Sequence, residues 1–384
     1  MIRRVLALPL LVLLCAWSCH EARRGEAPTT AREASATARI ETPPVSGAEQ
    51  RDAATSEANE HVESARILSL PIDPLPAGVI RGMALPTYTE LPDLSYDQML
   101  ARVKDAGATH VSIVVSWNQQ TIHHNRLRPD EDQTPSDARL GAVIDAAHAA
   151  ELGVMLFPII HVERRNTGEW RGKLAPTNLE RWRAEYRKFI LHHAALSERH
   201  GVEILSVGSE LSSLEGDTSW WTGLIEDVRA SYPGKVVYSA NWDHYETPQY
   251  WDQLDFIGVS SYFEVARRAD EPIHVVSERW MGHRDDLVAF ARRHRRPLIL
   301  TEVGYPAVDS AAVKPWDYTV RTEPNPNAQL AAYRSLSDAW SGSDPHFAGL
   351  FLWHAWGHGG PGDASYPIWG KAAERLVRKW YGAP

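Results

Sequence analysis

The chain has 384 residues, a formal net charge of −9, 15 Trp and 2 Cys. This mild negative charge argues against a nucleic-acid surface. Both cysteines, Cys15 and Cys19, lie near the N-terminus, which excludes disulfides, thiolate metal sites and a cysteine nucleophile from the rest of the chain. The length that remains suits one α/β barrel.

Residues 1–19 have the features of an export signal. Arg3 and Arg4 precede an apolar run over 5–14 that is too short to span a bilayer as a helix. The residues before Cys19, among them Ala16 and Ser18, resemble a bacterial lipobox. We therefore expect a lipoprotein signal and lipidation of Cys19, which would hold the protein at the cell envelope. Cleavage nearby and free secretion is the alternative.

Residues 20–65 contain no Phe, Trp or Tyr and are rich in Ala, Glu, Thr, Ser, Arg and Pro. Such a segment buries too little apolar surface to offset the entropy of ordering, so it is predicted to be a disordered linker. The folded domain is then expected over 66–384.

The folded part alternates short apolar runs with amphipathic helical segments, which is typical of βα units and a parallel sheet. Eight such strand–helix pairs, without a dinucleotide fingerprint or a P-loop, predict a single (β/α)8 barrel. The predicted strands are Val79–Ala84, His110–Trp117, Val154–Val162, Ile204–Leu211, Val236–Trp242, Phe256–Phe263, Pro297–Tyr305 and Ala348–Trp356.

Two glutamates lie near the carboxyl ends of predicted strands, where such barrels carry their active sites. The fourth strand ends in Gly208-Ser209-Glu210, and the seventh contains Thr301-Glu302-Val303. Two carboxyl groups suffice to cleave a glycosidic bond, since one protonates the leaving oxygen and the other supports the cationic centre. The sequence therefore predicts Glu210 and Glu302 as catalytic residues of a glycoside hydrolase that needs no cofactor and no metal. A separation of about 5 Å would imply retention of configuration.

Other polar and aromatic residues at strand ends or in loops are candidates for substrate binding. We expect Tyr262 to hydrogen-bond the strand-seven carboxylate and Trp353 to stack on the reacting sugar. Packing is the alternative for Tyr262 and the tryptophans, although the excess of Trp over Phe (15 against 7) suits a groove for sugar rings. For Asn241 and His161 the alternative is a hydrogen bond to a loop backbone. The candidates are Trp117, His161, Trp170, Asn241, Trp242, Tyr262 and Trp353.

Several of these runs resemble glycoside hydrolase family 113, in the same order and spacing from Gly82 to Tyr381. The resemblance implies a retaining barrel hydrolase, and the characterised members act on β-1,4-mannans and manno-oligosaccharides. It implies that Glu210 is the acid/base and Glu302 the nucleophile. The matching runs are Trp170-Arg171-Gly172, Val207-Gly208-Ser209-Glu210-Leu211, Ser239-Ala240-Asn241-Trp242, Leu254–Val259, Thr301-Glu302-Val303-Gly304-Tyr305 and Phe347–Leu350 leading to Trp353.

Two other functions stay open at this point. One is a hydrolase that acts on another β-glycan, and the other is a surface glycan-binding lipoprotein without turnover. The end of the eighth strand, His354-Ala355, departs from the family pattern and motivates the second. In each case the expected partner is a polysaccharide or oligosaccharide rather than a nucleic acid, and the expected state is a monomer. If the chain is a hydrolase, we expect the acid/base to titrate above a free Glu while Glu302 is ionised.

Overall fold

The computed structural model describes residues 62–89, 91, 93–342 and 344–383. The export signal, Cys19 and almost all of the linker lie outside these residues, so their assignments stay predictions. In the described part of the chain, no helix has the length and apolar character that crossing a membrane requires.

Eight parallel strands close into a barrel in which each strand pairs with the next and β8 pairs with β1. This closed order confirms the predicted fold. The strands are β1 (Ile80–Pro86), β2 (His110–Gln119), β3 (Gly153–Val162), β4 (Ile204–Ser209), β5 (Lys235–Asn241), β6 (Phe256–Ser260), β7 (Leu298–Val303) and β8 (Phe347–Leu352).

Helices surround the barrel, and several begin at side-chain caps that the sequence shows. Ser136, for example, accepts a hydrogen bond from the backbone N–H of Arg139 at the start of the second of these helices. The helices that follow the strands are α1 (Tyr96–Asp105), α2 (Asp137–Ala149), α3 (Leu179–Arg199), α4 (Thr218–Ser231), α5 (Ile273–His294), α6 (Pro326–Trp340) and α7 (Ala372–Tyr381).

The prediction of eight strand–helix pairs is wrong at one connection. The segment between β5 and β6, every residue of which is described, contains a 3-10 turn at Trp251–Gln253 instead of an α-helix. Trp251 is fully buried there and packs near Tyr238 and Tyr250. A buried indole thus fills the layer that a helix covers elsewhere.

Several strands end earlier than predicted, because the chain leaves the ladder to build the mouth of the barrel. β4 ends at Ser209 and β7 at Val303. The β4–β5, β6–β7 and β7–β8 ladders also shift register close to these ends. Such irregularities re-aim side chains and are common beside active sites.

The hydrophobic core has two layers. Strand residues such as Val114, Phe157 and Phe351 fill the inside of the barrel. A larger cluster contains residues of both strands and helices and so lies between them. Six of the twelve largest side chains that are fully buried are tryptophans, so much of the Trp excess serves packing rather than a sugar groove. These tryptophans are Trp182, Trp221, Trp251, Trp280, Trp340 and Trp380.

Candidate active site

The two predicted glutamates lie at the carboxyl end of the barrel, and both are buried. Glu210 directly follows β4 and is 7% exposed, and Glu302 on β7 is 4% exposed. Glu210 has a φ of +55°, which is uncommon for a residue with a side chain. Among the described residues, the other non-glycine positions with positive φ, Glu151 and Arg295, follow helices, where a left-handed residue is common. An unusual conformation at the end of a strand is typical of functional sites.

Two side chains that were not among the candidates contact the Glu210 carboxylate. Nη2 of Arg171 lies 2.6 Å from its Oε2 atom, and Oγ of Ser260 donates to its Oε1 atom at 2.5 Å. Although burial opposes it, the carboxylates of Glu210 and Glu302 raise the pKa of Arg171, so the guanidinium stays charged. The available signals were the Trp170-Arg171-Gly172 run and the position of Ser260 at the last residue of β6.

Tyr262, two residues after the end of β6, donates a hydrogen bond from its hydroxyl to Oε2 of Glu302 at 2.9 Å. This is the contact that the sequence predicts. Burial raises the pKa of Tyr262 well above its ordinary value, so the hydroxyl remains a donor.

Burial raises the pKa of Glu302 to about 8, and the nearby charge of Glu210 adds to this, while Arg171 and Tyr262 act in the opposite direction. The direction of this shift opposes ionisation of Glu302, whereas the sequence predicts an ionised Glu302. The Arg171 guanidinium contacts Glu210 rather than Glu302, and the sequence does not reveal this contact. Two carboxyl groups that share one proton supply one acid and one carboxylate.

His161 lies at the inner side of β3 and forms a polar cluster with β2. Its Nδ1 atom is 3.1 Å from Oδ1 of Asn118, an oxygen that only accepts hydrogen bonds. Burial, together with Arg165 and Arg171, lowers the pKa of His161 to about 4, so the ring is neutral. Nδ1 therefore carries the proton, and Nε2 is left as an acceptor for a hydroxyl group. Glu163 accepts from the Asn118 amide at 3.2 Å.

The ends of β5 and β8 contribute Asn241 and Trp353. Asn241 is 9% exposed and donates from its Nδ2 atom to Asp243 at 2.6 Å. Trp353 is partly exposed, packs against the inner core and donates from its backbone N–H to Val303 of β7. Gly304 lets these two strand ends approach, since a Cβ there would lie 2.4 Å from the Trp353 carbonyl oxygen.

The structure does not bring all the aromatic candidates to this group. Trp117 contacts Phe189 and the two histidines of α3, so it lies on the helix side of β2, opposite to its neighbour Asn118. Alternation along a strand causes this difference. Trp242 packs against Phe263 and the outer layer of the core.

Trp170 lies next to Arg171 in the loop after β3. It is partly buried, and a Cβ on Gly172 would be 2.3 Å from its ring. The glycine therefore allows the indole to pack against the turn that carries Arg171.

Two loops of the mouth meet by a hydrogen bond. The guanidinium of Arg165, in the loop after β3, donates to the hydroxyl of Tyr318, in the loop after β7, at 3.0 Å. β3 and β7 are opposite each other in an eight-stranded barrel. The loop after β7 is also tied down at Pro315, whose carbonyl accepts from Tyr366 at 2.6 Å. This Arg165–Tyr318 bridge therefore spans the mouth of the barrel.

Comparison with known proteins supports a carbohydrate-active barrel. The family model that matches residues 90–362 is that of Glycoside Hydrolase Family 113. A search among curated proteins finds no similar sequence.

Solved structures of similar fold include mannanases. The β-mannanase AaManA from Alicyclobacillus acidocaldarius, solved with ManMIm, is 25% identical with a TM-score of 0.71, over 83% of this chain and 99% of that one. Another β-1,4-mannanase of the same family is 21% identical with a TM-score of 0.70, over 80% and 99% of the two chains. The endo-1,4-β-D-mannanase of Thermotoga petrophila RKU-1 is 13% identical with a TM-score of 0.54, over 79% and 99%. The last two likenesses concern the fold alone.

Proposed function

Because this chain belongs to glycoside hydrolase family 113, we propose that it hydrolyses β-1,4-linked mannan or manno-oligosaccharides by a double displacement with retention. The observation that carries the proposal is the buried pair of Glu210 and Glu302, with Tyr262 bound to one carboxyl group and Arg171 to the other. The named activity of the Alicyclobacillus relative supports the choice of mannan.

In the first proposed step, a carboxylate oxygen of Glu302 attacks the anomeric carbon. The bond to the leaving oxygen breaks, and Glu210 gives its proton to that oxygen. In the second step, Glu210 takes a proton from a water molecule whose oxygen attacks the same carbon, and the ester bond to Glu302 breaks. Each step inverts the anomeric centre, so the product retains its configuration.

The productive form of the pair has the proton on Glu210 and the charge on Glu302. A leaving-group oxygen that enters beside Glu210 accepts a hydrogen bond from the protonated carboxyl group, which favours this form. Tyr262 stabilises the charge that then lies on Glu302, because its hydroxyl already points to Oε2 at 2.9 Å.

Further residues at the mouth of the barrel are proposed to hold the sugar. Trp353 offers a partly exposed indole for the apolar face of the ring. His161 offers its Nε2 acceptor, and Asn241 offers the amide that now pairs with Asp243. Trp170 beside Arg171 is a further stacking candidate.

Product analysis on a panel of β-glycans tests the proposal. We expect release of oligosaccharides from mannan and manno-oligosaccharides, and NMR spectra of early products should show the β-anomer first. The Glu302→Ala variant should lose about 10⁴-fold or more in rate, since the nucleophile is removed. Hydrolysis of another β-glycan alone would contradict the substrate, and α-anomers formed first would contradict retention. Sugar binding without any product would favour the glycan-binding alternative.

We also propose that the protein is exported and anchored through Cys19. The support is the basic start at Arg3 and Arg4, the apolar run over 5–14 and the small residues Ala16 and Ser18 before the cysteine. In a bacterial host that lipidates proteins, the full-length chain should incorporate labelled palmitate and sediment with membranes, and Cys19→Ala should do neither. An unlabelled wild-type chain in the culture medium would contradict anchoring.

A further inference from the structure

Glu215 is a buried acidic residue that the proposed chemistry does not use. It follows the short 3-10 turn Ser212–Leu214 after β4 and has no exposed surface. The hydroxyl of Tyr238 donates to its Oε1 atom at 2.7 Å. A buried carboxyl group is costly to keep unless it has a function or excellent partners.

Tyr238 connects this carboxyl group to the backbone beside Glu210. Its hydroxyl oxygen accepts a hydrogen bond from the backbone N–H of Leu211 at 3.1 Å while its proton goes to Glu215. Gly208 leaves room for the ring, because a Cβ there would lie 2.7 Å from Tyr238. Because the Tyr238 proton points to Glu215, the lone pairs of the hydroxyl oxygen point to the Leu211 N–H. Glu215 therefore fixes the orientation of the Tyr238 hydroxyl.

The two peptide groups on either side of Glu210 are both held by β5. The N–H of Glu210 donates to the carbonyl of Ser239 at 2.8 Å, and the N–H of Leu211 donates to Tyr238. These contacts restrict rotation about both backbone bonds of Glu210, whose φ of +55° is otherwise disfavoured. The Glu210 side chain can hold its place in the site only if this backbone is held.

Glu215 and Tyr238 lie outside the barrel wall that carries Glu210 rather than at the mouth of the barrel. Tyr238 belongs to the outer core cluster, and its ring contacts Trp221 of α4 at 5.0 Å between centroids and Tyr250 at 5.6 Å. A residue in this layer does not touch the substrate.

We propose that Glu215 and Tyr238 are positioning residues that hold the backbone of Glu210 in the conformation required for proton transfer to the leaving group. The inference rests on the proposed role of Glu210 as acid/base. The proposed role concerns only the orientation of the Glu210 carboxyl group. Variants at Glu215 or Tyr238 should therefore lose more rate on a substrate whose leaving group needs a proton than on one whose leaving group does not.

The titratable groups around Glu215 make its own charge sensitive to pH. Burial raises the pKa of Glu215 to about 7, Glu210 and Asp243 add to this, and the Tyr238 hydroxyl opposes it. Oε2 of Glu215 lies 3.9 Å from Nδ1 of His244, and both atoms are buried without a hydrogen-bond partner in the described part of the chain. The groups that face Glu215 are therefore Tyr238, Tyr250, Glu210, Asp243 and His244.

The test compares two substrates in each variant. A manno-oligosaccharide has a poor leaving group and needs the acid, whereas a dinitrophenyl β-mannoside does not need it for the glycosylation step. General acid catalysis contributes about 10²–10⁴-fold, so a misplaced acid should cost about tenfold or more in kcat on the oligosaccharide. On the dinitrophenyl substrate, kcat/KM should change by less than about threefold. KM on the oligosaccharide should stay near the wild-type value.

Tyr238→Phe removes both hydrogen bonds and should show this selective loss. Tyr186→Phe is the matched control, because the Tyr186 hydroxyl is also buried and donates to the carbonyl of Val207 on β4 at 2.9 Å rather than to a peptide group of Glu210. The control should lose stability but not selectivity between the two substrates.

Two substitutions at Glu215 test the same contact from the other side, and they serve if Tyr238→Phe does not fold. Glu215→Gln keeps an oxygen that accepts from Tyr238 and should stay within about threefold of wild type on both substrates. The pH–rate profile of Glu215→Gln should lack the inflection that the ionisation of Glu215 causes in the wild type. Glu215→Leu removes the acceptor and should reproduce the selective loss.

Equal losses on both substrates, or the same selective loss in Tyr186→Phe, would overturn the positioning role. Wild-type rates in Tyr238→Phe and Glu215→Leu would do so as well. If Glu210→Gln keeps its rate on the oligosaccharide, the proposed function fails first, and the positioning role fails with it.

Discussion

Replacing Glu302 by Gln is expected to stabilise the protein at neutral pH while it abolishes activity. Gln has nearly the same shape, and its side-chain oxygen still accepts the hydrogen bond that Tyr262 donates to Glu302. What the substitution removes is a titration, because burial raises the pKa of Glu302 to about 8 whereas an ordinary Glu has a pKa of 4.5. The variant therefore separates the effect of ionisation on the free energy of unfolding from the effect of side-chain shape.

The magnitude follows from the difference between the folded and unfolded chains. At pH 7 the unfolded chain ionises this glutamate, while the folded protein must keep it protonated. Each pH unit between 4.5 and 7 contributes about 1.4 kcal/mol to that cost. The upper limit is about 3.5 kcal/mol, and relaxation of the site lowers it, so we expect Glu302→Gln to gain about 1–3 kcal/mol at pH 7.

The sign of the pH dependence is specific. A carboxyl group with a raised pKa in the folded state destabilises the protein as the pH rises from 4.5 towards 8, and it has no effect below 4.5, where both states are protonated. The free energies of unfolding of wild type and Glu302→Gln should therefore converge near pH 4 and separate as the pH rises. Urea unfolding followed by tryptophan fluorescence at several pH values measures this difference.

Glu271→Gln is a control of opposite sign. The hydrogen bonds and charge of Arg279 lower the pKa of Glu271 to about 2, so this carboxylate stabilises the folded state at neutral pH. Its removal should therefore lower the free energy of unfolding. A Glu302→Gln variant that is less stable than wild type at pH 7, or a difference that does not change with pH, would refute the reasoning.

Three other substitutions test the site. Tyr262→Phe removes a contact that lowers the pKa of Glu302, so kcat should fall about tenfold and the acid limb of the pH–rate profile should move to higher pH. Arg171→Gln removes the cation that lowers the same pKa and should move that limb in the same direction, which a pH–rate profile checks. Tyr318→Phe removes the bridge to Arg165, which spans the mouth of the barrel. Because a long chain then enters the mouth more easily, the rate on polymeric mannan should rise about threefold relative to the rate on mannohexaose.

Each of these expectations has a contradicting result. An acid limb that stays in place in Tyr262→Phe or Arg171→Gln would show that these groups do not act on the carboxyl pair. An exposed arginine of the same loop, Arg164, provides the control for the bridge, because Arg164→Ala should leave the ratio of polymer to oligosaccharide unchanged. If Tyr318→Phe and Arg164→Ala change this rate ratio equally, the effect comes from the charge of the loop rather than from the bridge.

Local patterns were sufficient to predict the barrel and its catalytic end. Continuous apolar runs such as Val154–Val162 mark strands that are covered on both faces, and the polar residue that follows each run marks the mouth. Glu210 and Glu302 were therefore identifiable before any contact was known. The Tyr262 contact was also predictable, because adjacent parallel strands place their ends side by side.

Side-chain direction at the strand ends was not predictable from the same patterns. Plain alternation explains Trp117 and Asn118 on β2, whose ladder with β3 is regular, but it does not extend to the strands whose ladders are irregular. Register shifts near the ends of β4, β6 and β7 decide which side chain points inward. A single sequence does not show these shifts.

By itself the sequence determined the parallel barrel and the positions of two carboxyl groups at its catalytic end, because both follow from local periodicity and chain order. Only the tertiary structure decided which carboxyl group meets a cation and that burial opposes the ionisation of Glu302. Arg171 reaches Glu210 from the loop after β3, and Tyr238 holds the Glu210 backbone from β5. Such contacts join segments far apart in the chain, and the charge of a buried group depends on the distances between them.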